Sequence, residues 1–441
     1  MPSLRIDFDH PSGVVKPLHC INNAPILGAD ERMFHYLGEA GIPSARLHDT
    51  GGSFGGTHFV DIENIFPNFD ADPEDPASYD FAFTDWLLCA LARQGVKPFY
   101  RLGATIENDQ KIKAYHIYPP RDNLRWARIC EGIIRHYNEG WAGGYRMGIE
   151  YWEIWNEPDN EPDVADNPMW KGSMEDYFAL YETAANYLKG RFPHLKIGGY
   201  ASCGFYAILE RASAATANVS PRTGYFLDFF EAFLAHITSA AHRAPLDFFS
   251  WHTYDSVPAA EAYARYARQR LDAYGLTHTE SILNEWGSGP RLRGTAQEAS
   301  YVAAMMCAMQ RGPVDRLMYY DGQVMASYGG LFNPITFTPF PAYDVFRAFD
   351  RLYRLGISLP VETEGDGLYA CAATGGGAQA LLAANQTGQE MPLAIPWPQA
   401  ARLRSIGGGS YDEPRTVAPG PQGLSLVLPP YGCVLVESGQ A

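Results

Sequence analysis

The chain has 441 residues, 46% of them hydrophobic and 19% charged, an ordinary globular composition with room for one large domain and a small one. Its 50 acidic residues against 34 basic ones leave a net charge of −16, which repels phosphate backbones and anionic lipid surfaces. Neither nucleic acid nor membrane is therefore an expected partner. No apolar run reaches the ~18 residues of a membrane span, the N-terminus MPSLRIDFDH lacks a secretory pattern, and the 7 scattered cysteines form no CxxC pair. Free thiols in a reducing cytoplasm are the expectation, with no disulfide framework.

The alternation of Leu4, Ile6 and Phe8 predicts an edge strand. From residue 15 to 355 short apolar runs then alternate with longer amphipathic ones. Strands are predicted at 16–21, 44–48, 96–102, 149–155, 195–200, 246–253, 280–284 and 316–320, each rich in β-branched or aromatic residues and bounded by Gly, Pro or Asp. Helices with apolar residues three and four apart are predicted at 30–40, 83–94, 124–138, 174–191, 225–240, 259–274, 296–311 and 343–353. Eight strands alternating with eight helices predict an α/β fold, a closed (β/α)₈ TIM barrel over residues 15–355. The competing open, doubly wound sheet would want a glycine-rich phosphate loop after an early strand, and none is present. Beyond Gly356 short strand-like segments are separated by prolines and by turns such as Gly375 to Gly377. They predict a small antiparallel β-sandwich accessory domain built from 356–441 together with 1–14.

Two motifs stand at strand exits, where a barrel keeps its catalytic side chains. Trp152-Glu153-Ile154-Trp155-Asn156-Glu157-Pro158 ends the fourth strand, and Ile282-Leu283-Asn284-Glu285-Trp286-Gly287 ends the seventh. Glycoside hydrolysis needs two carboxyl groups flanking an anomeric carbon, and two glutamates at one barrel mouth meet that need. Strand alternation puts Arg46 with His48, His252 with Tyr254, and Tyr151, Glu153, Trp155 and Glu157 on shared faces. Glu153, deeper than Glu157, reads as a buried partner of Arg46 or a similar cation. No His-x-His pair follows the first strand and no HExxH helix occurs; His48, His116, His136 and His252 are scattered, so neither metal nor other cofactor is expected.

At this point the residues carry a resemblance. The glutamates after strands four and seven resemble clan A of the glycoside hydrolases, and more finely family 39, which holds β-xylosidases and α-L-iduronidases. Arg46-Leu47-His48, Gly95-Val96-Lys97-Pro98-Phe99, Ser250-Trp251-His252-Thr253-Tyr254, Trp170-Lys171-Gly172 with Tyr177 to Glu182 behind it, and Pro341-Ala342-Tyr343 extend it across residues 15–355. The resemblance implies a retaining exo-glycosidase, β-xylosidase-like, with Glu157 as acid/base and Glu285 as nucleophile, their carboxyl groups about 5–5.5 Å apart. It further implies that Asn156 bonds the sugar's 2-hydroxyl and that Tyr254 donates to Glu285. Arg46 would support the nucleophile from below, His48 and His252 would bind ring hydroxyls, and Trp286 would stack on an apolar sugar face. The expected partner is an oligosaccharide or small glycoside, and a homo-oligomer stays open.

The sugar is less determined. The β-xylosidases of the family bring an acidic pair from the last strand's loop, whereas Met318-Tyr319-Tyr320-Asp321-Gly322-Gln323 carries one Asp. Arabinosides, galactosides or a disaccharide unit stay open, as does endo cleavage of a polysaccharide. An iduronidase would want a basic cluster at the mouth, for which Lys111, Lys113 and Arg121 are the candidates. The long loops after strands three and eight favour a blind pocket and exo action. A catalytically inactive sugar-binding barrel is the alternative outside enzymes, and it has no need of two glutamates.

Overall fold

A computed structural model describes residues 2–27, 30–50, 60–105, 117–213, 219–326, 328–407 and 411–439. Its centre is a closed barrel of eight parallel strands: β1 (Cys20–Asn22), β2 (Ser44–Leu47), β3 (Lys97–Leu102), β4 (Tyr151–Ile154), β5 (Lys196–Ser202), β6 (Phe248–Thr253), β7 (Glu280–Trp286) and β8 (Arg316–Tyr319). Pairing of Met318 with Cys20 closes the ring. The connecting helices are α1 (His35–Glu39), α2 (Ala82–Arg93), α3 (Asn123–Asn138), α4 (Met174–Arg191), α5 (Pro221–Thr238), α6 (Val257–Ala273), α7 (Ala296–Arg311) and α8 (Pro341–Leu355). Their starts are written in the sequence. Asp122 and Thr295 accept from the backbone N–H three residues on, Ser173 and Asp176 form a reciprocal capping box, and Pro221 and Pro341 open α5 and α8.

The predicted order of elements holds, with shifted boundaries. The first strand begins at Cys20 instead of residue 16, because Pro17 lacks an N–H for a ladder and Lys16 turns its ammonium to the carbonyls of Met309 and Gly312. The first helix shrinks to His35–Glu39. Two short helices, Ile62–Ile65 and Ala207–Ser213, lie in connections read as loop.

Past Gly356 the strands form a seven-stranded antiparallel sheet and two strand pairs, with Leu393, Ile395, Trp397, Leu426 and Val436 buried between them as a sandwich core. Both ends of the chain contribute. Ser3–Ile6 pairs with Val361–Glu364, and Gly13–Val14 with Ile357–Leu359. The other face of the large sheet rests on α7 and α8, where Arg351 of α8 meets Glu437 at 2.8 Å. Among the described residues no helix is long and apolar enough to cross a membrane.

Barrel filling begins with an apolar floor of Cys20, Phe99, Tyr151, Phe248, Ile282 and Met318. β5 contributes only Gly198 there, opposite Phe248, and the large rings use the space. A Cβ at this glycine would stand 2.2 Å from the Phe248 carbonyl oxygen and 2.8 Å from its ring. Since backbone cannot yield as a flexible side chain does, Gly198→Ala should destabilise the protein toward the upper end of the ~1–3 kcal/mol typical of overpacking. Urea unfolding would read this as a lowered midpoint; an unchanged midpoint would contradict this account of the barrel floor.

Candidate active site

Two residues above the apolar floor on the same strand faces, the barrel interior turns polar: Asn22, Arg46, Arg101, Glu153, Ser250 and Asn284 are all fully buried. Such groups are tolerable only when paired. Arg46 Nε donates to Glu153 Oε2 at 2.8 Å, while Ser250 Oγ and Asn284 Nδ2 each donate to Glu153 Oε1 at 2.6 Å. Arg46 Nη1 also reaches Asn22 Oδ1 at 3.1 Å. The expected Arg46–Glu153 pairing is thus present, inside a wider network.

The outer edge of the same guanidinium faces the mouth. Nη2 donates to Asn156 Oδ1 at 2.5 Å and Nη1 to Glu285 Oε2 at 3.3 Å. The other oxygen of Glu285 accepts from the Tyr254 hydroxyl at 2.7 Å. Burial, with the charge of Glu285 adding, pushes the Tyr254 phenol well above its ordinary range, so it stays a donor.

Glu157 reaches the cavity by a different route. Regular β geometry ends at Ile154, and Trp155 (φ 75°) and Glu157 (φ 46°) both adopt left-handed backbone. That conformation disfavours side chains by ~1–2 kcal/mol per residue, and here the Glu157 N–H is held by the carbonyls of Tyr200 and Ala201. Trp155 is turned out of the barrel face that simple alternation gives it. It packs between Trp126 and Trp170, with its indole N–H on the Met169 carbonyl.

The Glu157 carboxyl meets His252 Nδ1 at 2.7 Å and Asn160 Nδ2 at 2.7 Å. Burial pushes this carboxyl up, but His252, with Asn160 and the Cys203 thiol adding, outweighs burial and holds it below its ordinary range. For His252 burial pushes the imidazole down, and Glu285 and Glu157 together overcome that and raise it. His252 Nδ1 is 3.8 Å from Glu285 Oε2, so one imidazole stands between the two glutamates. Oxygens of Glu157 and Glu285 and a nitrogen of His252 all lie within 4.8 Å of one another. Two further buried carboxyls stand behind them. Burial pushes Asp159 to about 7, with Glu157 adding, and Asp321 to about 8, with Glu285 adding.

These groups open into a cavity of about 510 Å³, in the range of small-ligand pockets. Its wall brings together the expected His48, Asn156, Glu157, His252, Tyr254 and Glu285, with Arg46 beneath. The imidazole of His252 was expected to face ring hydroxyls, but its Nδ1 is committed to Glu157. Trp286 is a correction: it is fully buried and absent from the wall. A register shift between β6 and β7 pairs Trp251 with Leu283 but His252 with Glu285. The extra residue swings Glu285 into the barrel and turns Trp286 outward against Tyr301 of α7 and Tyr319. Lys111 and Lys113 lie outside the described residues, and Arg121 is exposed and paired with Asp70 at 2.8 Å.

Sequence reading missed much of the wall. Asp49, next to His48 and bonded to it at 3.0 Å, also accepts from Tyr320 at 2.8 Å; adjacency to a strand-exit histidine could have flagged it. Cys203, Tyr206, Glu210 and Arg222 come from the segment after β5, and Tyr328 from the loop after β8. Nothing local in the sequence marks them.

The sequence model described as "Glycosyl hydrolases family 39" matches residues 57–284, a span that contains Glu157 and ends one residue before Glu285. A β-xylosidase of Geobacillus stearothermophilus is 26% identical over 238 residues, covering 51% of this chain and 40% of the relative. Another, of Caldicellulosiruptor saccharolyticus, is 26% identical over 302 residues, covering 62% and 57%. The chain therefore spans roughly half the length of these relatives. Among solved structures, a glucosidase from Croceicoccus marinus superposes with a TM-score of 0.77 at 19% identity, covering 100% of this chain and 99% of that one. A monomeric β-xylosidase from Caulobacter crescentus CB15 gives 0.68 at 17%, covering 99% of each. At these identities the structures attest the barrel-plus-sandwich fold.

Removing Arg46 leaves Glu153 a buried, uncompensated charge. Arg46→Ala should cost about 3–5 kcal/mol of stability, and adding Glu153→Gln should restore part of it. Denaturation of single and double variants checks this; a double variant no better than the single would contradict the charge argument.

Proposed function

Because this chain belongs to family 39 of the glycosyl hydrolases, we propose that it removes a terminal, uncharged sugar from its glycoside, in the manner of a β-xylosidase, with retention of configuration. The observation that carries this reading is the pair of carboxyl groups from the exits of β4 and β7, with oxygens within 4.8 Å of each other. Retaining enzymes hold their carboxyl groups about 5–5.5 Å apart, whereas inverting ones leave about 6.5–9.5 Å for a water. In the first step Glu285 attacks the anomeric carbon while Glu157 protonates the departing oxygen. In the second, Glu157 takes a proton from water, whose oxygen displaces Glu285. Arg46 and Tyr254 offer hydrogen bonds to both Glu285 oxygens and so orient it for attack. Asn156, fixed through its Oδ1 by Arg46, keeps its amide N–H groups for the sugar.

An uncharged sugar is favoured by the charges on the wall. Asp49, Glu157, Glu210 and Glu285 outnumber the wall's two cations, the protonated His252 and Arg222, and Arg222 is itself bound to Glu161 at 2.7 Å. A uronate carboxylate would enter against that balance, which argues against an iduronide. The relatives named as β-xylosidases support xylose as the first sugar to try.

A panel of p-nitrophenyl glycosides (β-D-xyloside, β-D-galactoside, β-D-glucoside, α-L-arabinosides, α-L-iduronide) tests this directly. Turnover of one or two neutral glycosides is expected, with the iduronide untouched and the rate lowered ~10⁴-fold or more in Glu285→Ala. Azide should rescue Glu157→Ala as a glycosyl azide of retained configuration. An inverted first product by NMR would end the retaining assignment, and silence on glycosides, oligosaccharides and polysaccharides alike would end the enzymatic one.

The proton for the first step is carried by the Glu157–His252 pair. With the carboxyl held down and the imidazole held up, the resting pair keeps one proton on His252 Nδ1, 2.7 Å from Glu157 Oε1. A sugar that seals the cavity penalises separated charge and favours transfer of this proton to Glu157. As pH rises through the raised imidazole pKa the pair loses its proton, so kcat/KM should fall on a limb above the ordinary histidine value of 6.5. In His252→Gln the limb should move to lower pH, and the rate at pH 7 should drop ~10²-fold or more. A pH–rate profile with an unmoved alkaline limb would remove His252 from this role.

A further inference from the structure

Away from the catalytic mouth a second group of ligating side chains converges, at the far end of α5 from the Arg222 that the cavity wall uses. Glu182 lies in α4, His236 in the last turn of α5, and His242 in the connection leading to β6. This connection precedes a barrel strand, so the cluster stands at the end where strands begin, the end that serves stability instead of catalysis. Glu182 Oε2 is 2.9 Å from His236 Nε2 and 3.1 Å from His242 Nδ1. The two imidazoles lie nearly parallel, centroids 4.4 Å apart and planes 16° from each other. All three ligating atoms fall within 4.8 Å of one another.

We propose that Glu182, His236 and His242 form a binding site for a divalent cation of the zinc class. The donor set is the first reason. Two imidazole nitrogens and one carboxylate oxygen suit zinc and its borderline neighbours, whereas calcium and magnesium want oxygen donors throughout. The spacing is the second. Bonds of about 2.0–2.1 Å arranged tetrahedrally require ligand atoms roughly 3.3 Å apart; the two edges at Glu182 Oε2, 2.9 and 3.1 Å, need to open only slightly, and the two imidazole nitrogens lie within 4.8 Å of each other. Lone pairs must also point at the ion, so both ring nitrogens, now aimed at Glu182 Oε2, must turn from that oxygen toward the ion. The His242 side chain is 52% exposed and can turn, while His236 is steadied by the ring of Phe178 at 5.4 Å.

The backbone around the cluster is already tied together. His242 N–H donates to Ser239 Oγ at 3.2 Å, and Asn186 of α4 holds the Arg243 carbonyl at 3.0 Å. A cation there would join the end of α5 and its following connection to α4 by coordinate bonds, with water completing the shell on the exposed side. The protein's charge of −16 favours retention of a cation.

The catalytic trio Glu157, His252 and Glu285 could also take up an added metal, so the test separates the two places. Full-length protein stripped with chelator is titrated with Co²⁺, and the visible absorption of nitrogen-ligated cobalt is followed. One equivalent should develop that absorption in the wild type and in Glu157→Gln, while His242→Ala should bind more than about 100-fold weaker. Zinc at ~100 times its Kd should raise the Tm by about 3 °C in the wild type and leave His242→Ala unmoved. His242→Ala should keep its basal activity, and Glu182→Gln provides a second lesion should that variant fold poorly. Absence of cobalt binding, binding indifferent to His242→Ala and Glu182→Gln, or binding lost in Glu157→Gln would each overturn the proposal; the first would leave a carboxylate shared by two imidazoles and nothing more.

Discussion

One guanidinium organises the interior of this barrel. Arg46 is fully buried, and its Nε and two Nη atoms bond in three directions, to Glu153 below, to Asn22 beside it, and to Asn156 and Glu285 above. A lone charge in that position would be prohibitively unstable, so the surrounding residues are constrained by it. Glu153 supplies the counter-charge, and Ser250 and Asn284 complete its hydrogen bonds. The outcome is a rigid polar layer between the apolar floor and the cavity. Because arginine's donors form a planar fork, the layer fixes where Glu285 and Asn156 stand relative to each other.

Much of this architecture was legible, since the strongest signals were periodic. Eight short apolar runs and eight amphipathic stretches gave the barrel, although periodicity started two helices late, at 225 and 343, where the prolines at 221 and 341 in fact open them. The places of Glu157 and Glu285 on the cavity wall were legible because strand exits line a barrel's mouth. The wall contributed by Tyr206, Glu210 and Arg222 was not, because it depends on how the segment after β5 folds back over the mouth. The same limit hides Glu182, His236 and His242. Their separations match no short metal motif, and only the packing of α4 against α5 brings them together.

The two tryptophans expected on the barrel's inner side or at the sugar fail for related reasons. Alternation assigns Trp155 to the inner face, but left-handed backbone at Trp155 ends the alternation and sends the ring among Trp126 and Trp170. A register shift at β7 does the opposite service for Glu285, giving it the inner position and sending Trp286 against Tyr301. Both irregularities fall at the residues that present the glutamates. Regular strand geometry cannot aim two carboxyl groups from different strands at one point, and bulges and left-handed residues gather where such aiming is needed. They are also the features that a period-two pattern cannot foresee.

Charge completes the argument. Glu153, Glu157 and Glu285 face Arg46 and the raised imidazole of His252, so this touching cluster carries three carboxylates against two cations. Asp321, pushed up to about 8, keeps its proton near neutrality and leaves that balance undisturbed. One uncompensated negative charge remains close to Glu285. A glycosyl group leaving its oxygen develops positive charge at the anomeric carbon, and a preorganised site stabilises that charge without having to reorient solvent. On the proposed mechanism, the proton that passes from His252 to Glu157 neutralises one carboxylate and one cation together. That internal transfer leaves the net charge unchanged, and when Glu157 then gives the proton to the leaving oxygen, the negative charge it regains is offset by Glu285 becoming a neutral glycosyl ester. On the same proposal, the histidine between the two glutamates would supply the acid's proton and, until it moves, shield each carboxylate from the other.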